Sequence, residues 1–322
     1  NATWERVKKL DLGVDVELFN QVNITYDYFH EHRYNILLKR GAWPYQMGYF
    51  NAVPWSNIGQ VDNWGHEIAV NWKKQINKDL FVDARFNWTY TENQYKYLDE
   101  PSYPYVWQTS TGKPLSRRVG YIAEGLFRSQ EEIDNSPKQD LGSTVMVGDI
   151  KYRDVNGDGI INTEDQVIIS PYGSMPRIQY GIGLNVVYKK FDFGMFFNGA
   201  GKRSLMLTGV SPFGEDSNGL LQFIADNHFS VDKQNFDATY PRLGLNTQQV
   251  ANNTVNSTFW LRDGKYLRWK SLEIGYSFPH FRVYFSGDNL AVWSPFKYWD
   301  PELWYNNYPF SHSYNFGVQV NL

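Results

Sequence analysis

The chain holds no cysteine among its 322 residues. Disulfides and thiolate metal sites are excluded, and cysteine usage leaves the redox compartment open. It also lacks any apolar run approaching the eighteen or so residues of a spanning helix. An excess of charge is missing too, since 31 basic against 34 acidic side chains leave −3, a balance that gives no footing to a nucleic-acid partner. The opening NATWERVKKL has neither the basic start nor the apolar centre of a leader, so the expectation is that a leader was removed or that the chain begins within a larger protein.

What the chain has in plenty is aromatic residues, 23 Tyr, 21 Phe and 12 Trp, 17% of the total. Their placement follows a period of two. Leu10, Leu12, Val14, Val16 and Leu18 alternate with Lys9, Asp11, Gly13, Asp15 and Glu17; after Phe19-Asn20-Gln21 the same rhythm runs through Val22, Ile24, Tyr26 and Tyr28. It returns in Trp64–Lys73, Leu80–Tyr90, Gln179–Tyr188, Phe191–Asn198, Tyr266–Phe278, Phe281–Leu290 and Tyr314–Leu322. Arg268-Trp269-Lys270 break the alternation, which predicts a bulge there. The reading is therefore all-β, with nine strands each carrying one apolar and one polar face. A mean hydropathy of −0.52 agrees with a membrane reading as well as a soluble one, because a transmembrane strand needs only ~9–11 residues with every second one apolar.

The connections alternate short and long. Short turns are expected at 19–21, 74–79, 189–190 and 279–281. An irregular stretch at about Asn35–Asn63, insertions at 94–176 and 201–262, and the segment Trp293–Phe310 fall between them. Outer-membrane barrels collect their long loops at one end, with short turns in the periplasm and long loops outside. The predicted fold class is thus an antiparallel transmembrane β-barrel, with the polar face toward a lumen and the apolar face toward lipid; a secreted aromatic-rich sandwich or propeller is the alternative. If the last strand ends in the periplasm, the first residue sits at the extracellular rim. Nine strands leave two open edges, so the chain reads as the C-terminal part of a larger barrel.

One stretch carries a chemical signature. In DVNGDGIINTED, Asp154, Asn156 and Asp158 occupy positions 1, 3 and 5 of a twelve-residue loop. Gly159 follows at 6, the Ile160 carbonyl at 7, Asn162 at 9 and Asp165 at 12. That is the oxygen-ligand spacing of a calcium loop, with Gly where the backbone turns sharply. Calcium in a structural role is the expected cofactor, held by Asp154, Asn156, Asp158, Ile160 and Asp165. Two features temper the match: Asp in place of the usual Glu at position 12, and no clear flanking helices. The same letters also read as an Asx-rich turn without metal. The six histidines are scattered, and no nucleophile elbow or phosphate-cradling glycine loop is present, so an enzyme is not expected. Loop aromatics before the calcium-type loop (Tyr105, Trp107) and before the last strand (Trp299, Trp304) are candidate substrate contacts, since ring faces stack on sugars. For any one of them, packing within the loops is the competing role.

Several stretches resemble the SusC-like TonB-dependent transporters of Gram-negative outer membranes. They are WERVKKLDLGVDVELFN from Trp4 to Asn20, NIGQVDNWGHEI from Asn57 to Ile68, GDIKYRDVNGDGIINTEDQVII followed by YGIGLNVVYKKFDFGMFFNGAG, and YLRWKSLEIGYSFP followed by RVYFSGDNL. The resemblance spans most of residues 1–322 apart from the long loops. It implies a 22-stranded barrel two to three times this length, with an N-terminal plug and a TonB-contacting segment that this chain lacks. It further implies a SusD-like lipoprotein lid, an outer-membrane location with the loops extracellular, and import of oligosaccharides, or of oligopeptides in some branches. A calcium-stabilised surface binding module without transport is the reading from a different class.

Overall fold

The computed structural model describes residues 2–43, 53–207, 220–244, 247–303 and 307–320. Nine strands form one sheet in strict chain order, every neighbouring pair antiparallel. They are β1 (Arg6–Leu18), β2 (Val22–Lys39), β3 (Trp55–Asn77), β4 (Leu80–Tyr97), β5 (Ile178–Tyr188), β6 (Phe191–Gly201), β7 (Tyr266–Ser277), β8 (Phe281–Trp293) and β9 (Ser313–Val320). Residues 321–322, which the alternation placed in the last strand, lie outside the described residues. The sheet's edges are β1 and β9, and all thirteen residues of β1 are exposed.

Directly opposed residues share a face, so the register traces each face across the sheet. Val82, Val186, Phe193, Ile274, Phe285 and Phe316 form one continuous row. On the reverse side Lys73, Asp83, Asn185, Gly194, Glu273, Ser286 and Asn315 form another. Among the described residues nothing covers the apolar face: Val14 is 57% exposed, Ile182 45% and Ile274 44%.

The strands overrun their expected limits. β2 reaches Lys39 and β3 starts at Trp55, inside the stretch expected to be irregular, while β4 continues to Tyr97. The cause is a register shift between Arg33 and Ile36, with Asn35 at a left-handed φ of 57°. The irregularity interrupts the alternation but not the strand. Positions 44–52 of that stretch lie outside the described residues. The bulge predicted near Trp269 is present, with the register shifting between Trp269 and Ser271. Short turns close one end of the sheet, where Phe19 and Asn20 take left-handed φ values of 56° and 53° and only Lys78-Asp79 separate β3 from β4.

Apart from Ala200 and Tyr266 at strand ends, the buried apolar core is not in the sheet. Its large members, Tyr121, Phe127, Ile150, Tyr152, Leu207, Ile224, Tyr240 and Trp260, all belong to the two long connections that follow β4 and β6. Short strand pairs brace these connections, among them Ala123–Leu126 with Ile150–Tyr152 and Ser204–Met206 with Leu261–Asp263. Sheet and loops thus divide the usual roles: the sheet exposes its apolar side chains and the loops bury theirs.

Candidate functional site

The two long connections fold into one body, and a buried polar knot joins them. Asp149, fully buried, accepts from Arg242 Nε at 2.9 Å and Nη2 at 3.0 Å, from the Met146 amide at 2.8 Å and from Asn253 Nδ2 at 2.8 Å. Next to it Gln139 Nε2 donates to Asn252 Oδ1 at 2.6 Å and accepts the Tyr152 amide at 2.7 Å. Asn252 Nδ2 in turn donates to the Ile150 carbonyl at 2.9 Å. Every group is satisfied, which a buried polar cluster requires. Burial pushes the phenols of Tyr152 and Tyr240 well above their ordinary range, so both stay neutral. None of these partners was visible in the sequence.

The acidic loop lies on this body. Asp154 accepts the amides of Gly157 at 2.7 Å and Gly159 at 2.8 Å, and those glycines take φ values of 78° and 86°. Asp158 Oδ1 accepts the Ile160 amide, and its Oδ2 accepts Asn156 Nδ2 at 3.0 Å. Asp165, fully buried, accepts the amides of Val155 at 2.8 Å and Asn162 at 2.9 Å. Asp154, Asn156, Asp158 and Asp165 therefore surround one turn, as their spacing required. Among the described residues no Lys or Arg pairs with them, and no three His, Asp or Glu side chains converge into a metal cluster. The carboxylates are held by amides.

The aromatic candidates separate. Tyr105 and Trp107 stack at 4.6 Å with 6° between planes, and Trp107 Nε1 donates to the Glu164 carbonyl at 2.8 Å. The pair is thereby fastened to the acidic loop, a link that sequence alone did not show. Trp299 packs edge-on against Phe296 at 4.6 Å at the margin of the loop core, the competing packing role. Trp304 lies outside the described residues.

Arg268 pins the last long connection to the strands. Nearly fully buried, it donates to Asp300 at 2.6 and 2.7 Å, to Glu302 at 2.5 Å and to Asn289. The sequence reading marked this residue only as a break in alternation. Below the loops, the polar face of the sheet lines a cavity of about 780 Å³ with Asn71, Arg85, Asn185, Asp192, Glu273 and Asp288. Arg282 holds Asp192 and Glu273 together there.

An antiparallel sheet with one bare apolar face, one polar face and its packed core in loops at a single end defines a barrel-type wall with a folded cap. No family model matches the chain. It is 28% identical over 94% of its length to TonB-dependent receptor P26 of Formosa agariphila, covering 31% of that protein. It is 26% identical over 94% of its length to TonB-dependent receptor SusC of Bacteroides thetaiotaomicron, covering 30%. The chain thus spans about a third of the length of the curated relatives it matches. Among solved structures, the RagAB peptide importer in its open-open state matches over 100% of this chain and 35% of its own, with a TM-score of 0.69 at 20% identity, a likeness of fold. The chain thus resembles TonB-dependent receptors, SusC among them, along nearly its whole length, and its sheet is similar in fold to part of the RagAB structure.

Proposed function

We propose that this chain supplies C-terminal strands and extracellular loops of an outer-membrane importer that takes up oligosaccharides with energy from TonB. The observation that carries this reading is the continuous apolar row from Val82 to Phe316, half-buried to exposed throughout, opposite a polar row. In water such a face is a liability; in a bilayer it is the required surface. The open edges β1 and β9 leave N–H and C=O groups that lipid cannot satisfy, so the rest of the barrel would pair with them. A plug would fill the polar interior, and a SusD-like lipoprotein would close over the loop body.

In this reading one calcium ion is held by Asp154, Asn156, Asp158 and Asp165 with the Ile160 carbonyl. What supports it is the donor set: three carboxylates and an amide oxygen surround one turn, and among the described residues no Lys or Arg pairs with them, although in this arrangement their oxygens accept N–H groups and do not converge on one point. Calcium would supply that charge and fix the loop against the body. The stacked Tyr105–Trp107 pair beside it is the strongest sugar-stacking candidate.

Uptake by cells carrying the intact transporter, offered fluorescent oligosaccharides and oligopeptides in parallel, tests this. Oligosaccharide accumulation that stops when TonB is removed supports the reading. Accumulation of peptides alone, as expected of a peptide importer such as RagAB, would transfer the chain to the peptide branch.

A further inference from the structure

Four cations gather where the first two long connections meet, and none of them forms an ion pair with a carboxylate among the described residues. Arg117 donates to the Pro114 carbonyl at 3.0 Å and to the Ser110 hydroxyl at 2.5 Å, while its Nε is buried without an acceptor. Arg118 gives Nε to the Ser204 hydroxyl at 2.8 Å and Nη2 to the Ser204 carbonyl at 2.9 Å. Arg203 donates to the carbonyls of Ser174 and Pro301. Lys113 donates to those of Val106 and Trp107, each at 3.0 Å.

The electrostatics agree with an unbalanced cluster. Burial first, and then the neighbouring charge of Arg203, lowers Arg118 from its ordinary value; burial and then Arg117 do the same to Lys113, outweighing the opposing charge of Glu100. A guanidinium stays charged regardless, so the charge persists in a half-buried place where an uncompensated ion is costly. The acids nearest Arg203, Asp300 and Glu302, are already bonded to Arg268.

Arg117 and Arg118 line one cavity of about 350 Å³ with Val119, Met206 and Asn256. Its place in the fold is defined by Tyr95, whose ring lies 5.9 Å from the Arg117 guanidinium. By register Tyr95 shares the polar face of β4 with Thr91 and Asn93. Arg117 therefore stands on the side of the wall that would face the transport path. Among the described residues each arginine keeps donors that no protein acceptor uses, and a planar fork suits oxyanions.

We propose that this cavity binds an oxyanion carried by the imported ligand, a carboxylate or a sulfate ester, with Arg117 and Arg118 as its charged donors and Asn256 at its rim. The ligand's import rests on the function proposed above; the anion site does not.

The test is thermal denaturation of the intact transporter in detergent, titrated with sodium sulfate or sodium acetate at an ionic strength held constant with sodium chloride. The wild type should show saturable stabilisation, and the stronger anion identifies the group. Arg117→Gln should weaken the apparent affinity at least tenfold. Asn256→Asp, which offers the arginines a carboxylate of their own, should abolish the anion response; its backbone carbonyl still accepts the Tyr121 amide. If Arg117→Gln does not assemble, Asn256→Asp decides. No saturable response in the wild type, or an unchanged one in Asn256→Asp, overturns the site. Anion binding without uptake of any ligand would overturn the import reading and leave the site standing.

Discussion

Asp149→Asn tests whether the two long loops are one cooperative body. The substitution keeps the shape but replaces an accepting oxygen with an NH2 group. Donors then oppose donors, because Arg242, the Met146 amide and Asn253 all point at this side chain. Arg242, with its side chain 19% exposed, is left carrying an unbalanced charge. Removing one partner of a buried pair costs about 3–5 kcal/mol. Arg242 keeps its bond to the Gln249 carbonyl and some solvent, so the lower limit applies, about 3 kcal/mol. That raises the open population of the loop body by roughly a hundredfold, which amide hydrogen exchange of the intact protein reads directly. Peptides from 146–153 and 250–256 should lose protection together, while β5 stays as in the wild type. Adding Arg242→Met, which removes the stranded charge, should restore part of it. If only one loop loosens, or neither does, the knot does not unite them.

Ile182→Arg and Ile274→Arg, on the bare apolar face, should each cost about 2–4 kcal/mol in a bilayer and reduce the heat-resistant band on electrophoresis, whereas Ser271→Arg on the polar face should not. Acid should loosen the loops. Burial alone would raise the Glu100 carboxyl, but bonds from Thr111 and Ser110 outweigh it and leave it below its ordinary 4.5. The Arg128 amide is the main cause that holds Glu132 below the same value. Lowered carboxyls stabilise fully above their ordinary value and lose that contribution as pH falls through the lowered one. Loop protection should therefore be flat between about pH 5 and 8 and fall only in stronger acid. Asp154→Ala with Asp158→Ala should remove any calcium dependence of loop protection, read by comparing chelated and calcium-loaded protein, and leave the strands intact.

The strands were legible because lipid-type surfaces write a period of two into the chain, as Leu10 to Leu18 do. Where a bulge at Asn35 or Trp269 shifts the phase, the same signal either hides the strand or marks the irregularity. The acidic loop was equally legible, since its partners lie within twelve residues. The loop body was not. Asp149 meets Arg242 and Gln139 meets Asn252 across separations of 93 and 113 residues, and no local pattern announces such pairs. Arg117 and Arg118 belong to the same class: their meaning lies in the carboxylates they do not meet among the described residues.

The absence of cysteine from this chain gives the most direct test of the membrane wall. Single replacements along β5 of the intact transporter, from Ile182→Cys and Gly183→Cys to Leu184→Cys and Asn185→Cys, can be labelled in liposomes with a lipid-soluble and a water-soluble maleimide. The account expects positions 182 and 184 to react only with the lipid-soluble reagent and 183 and 185 with the water-soluble one. Uniform labelling by the water-soluble reagent, or the opposite alternation, would contradict it.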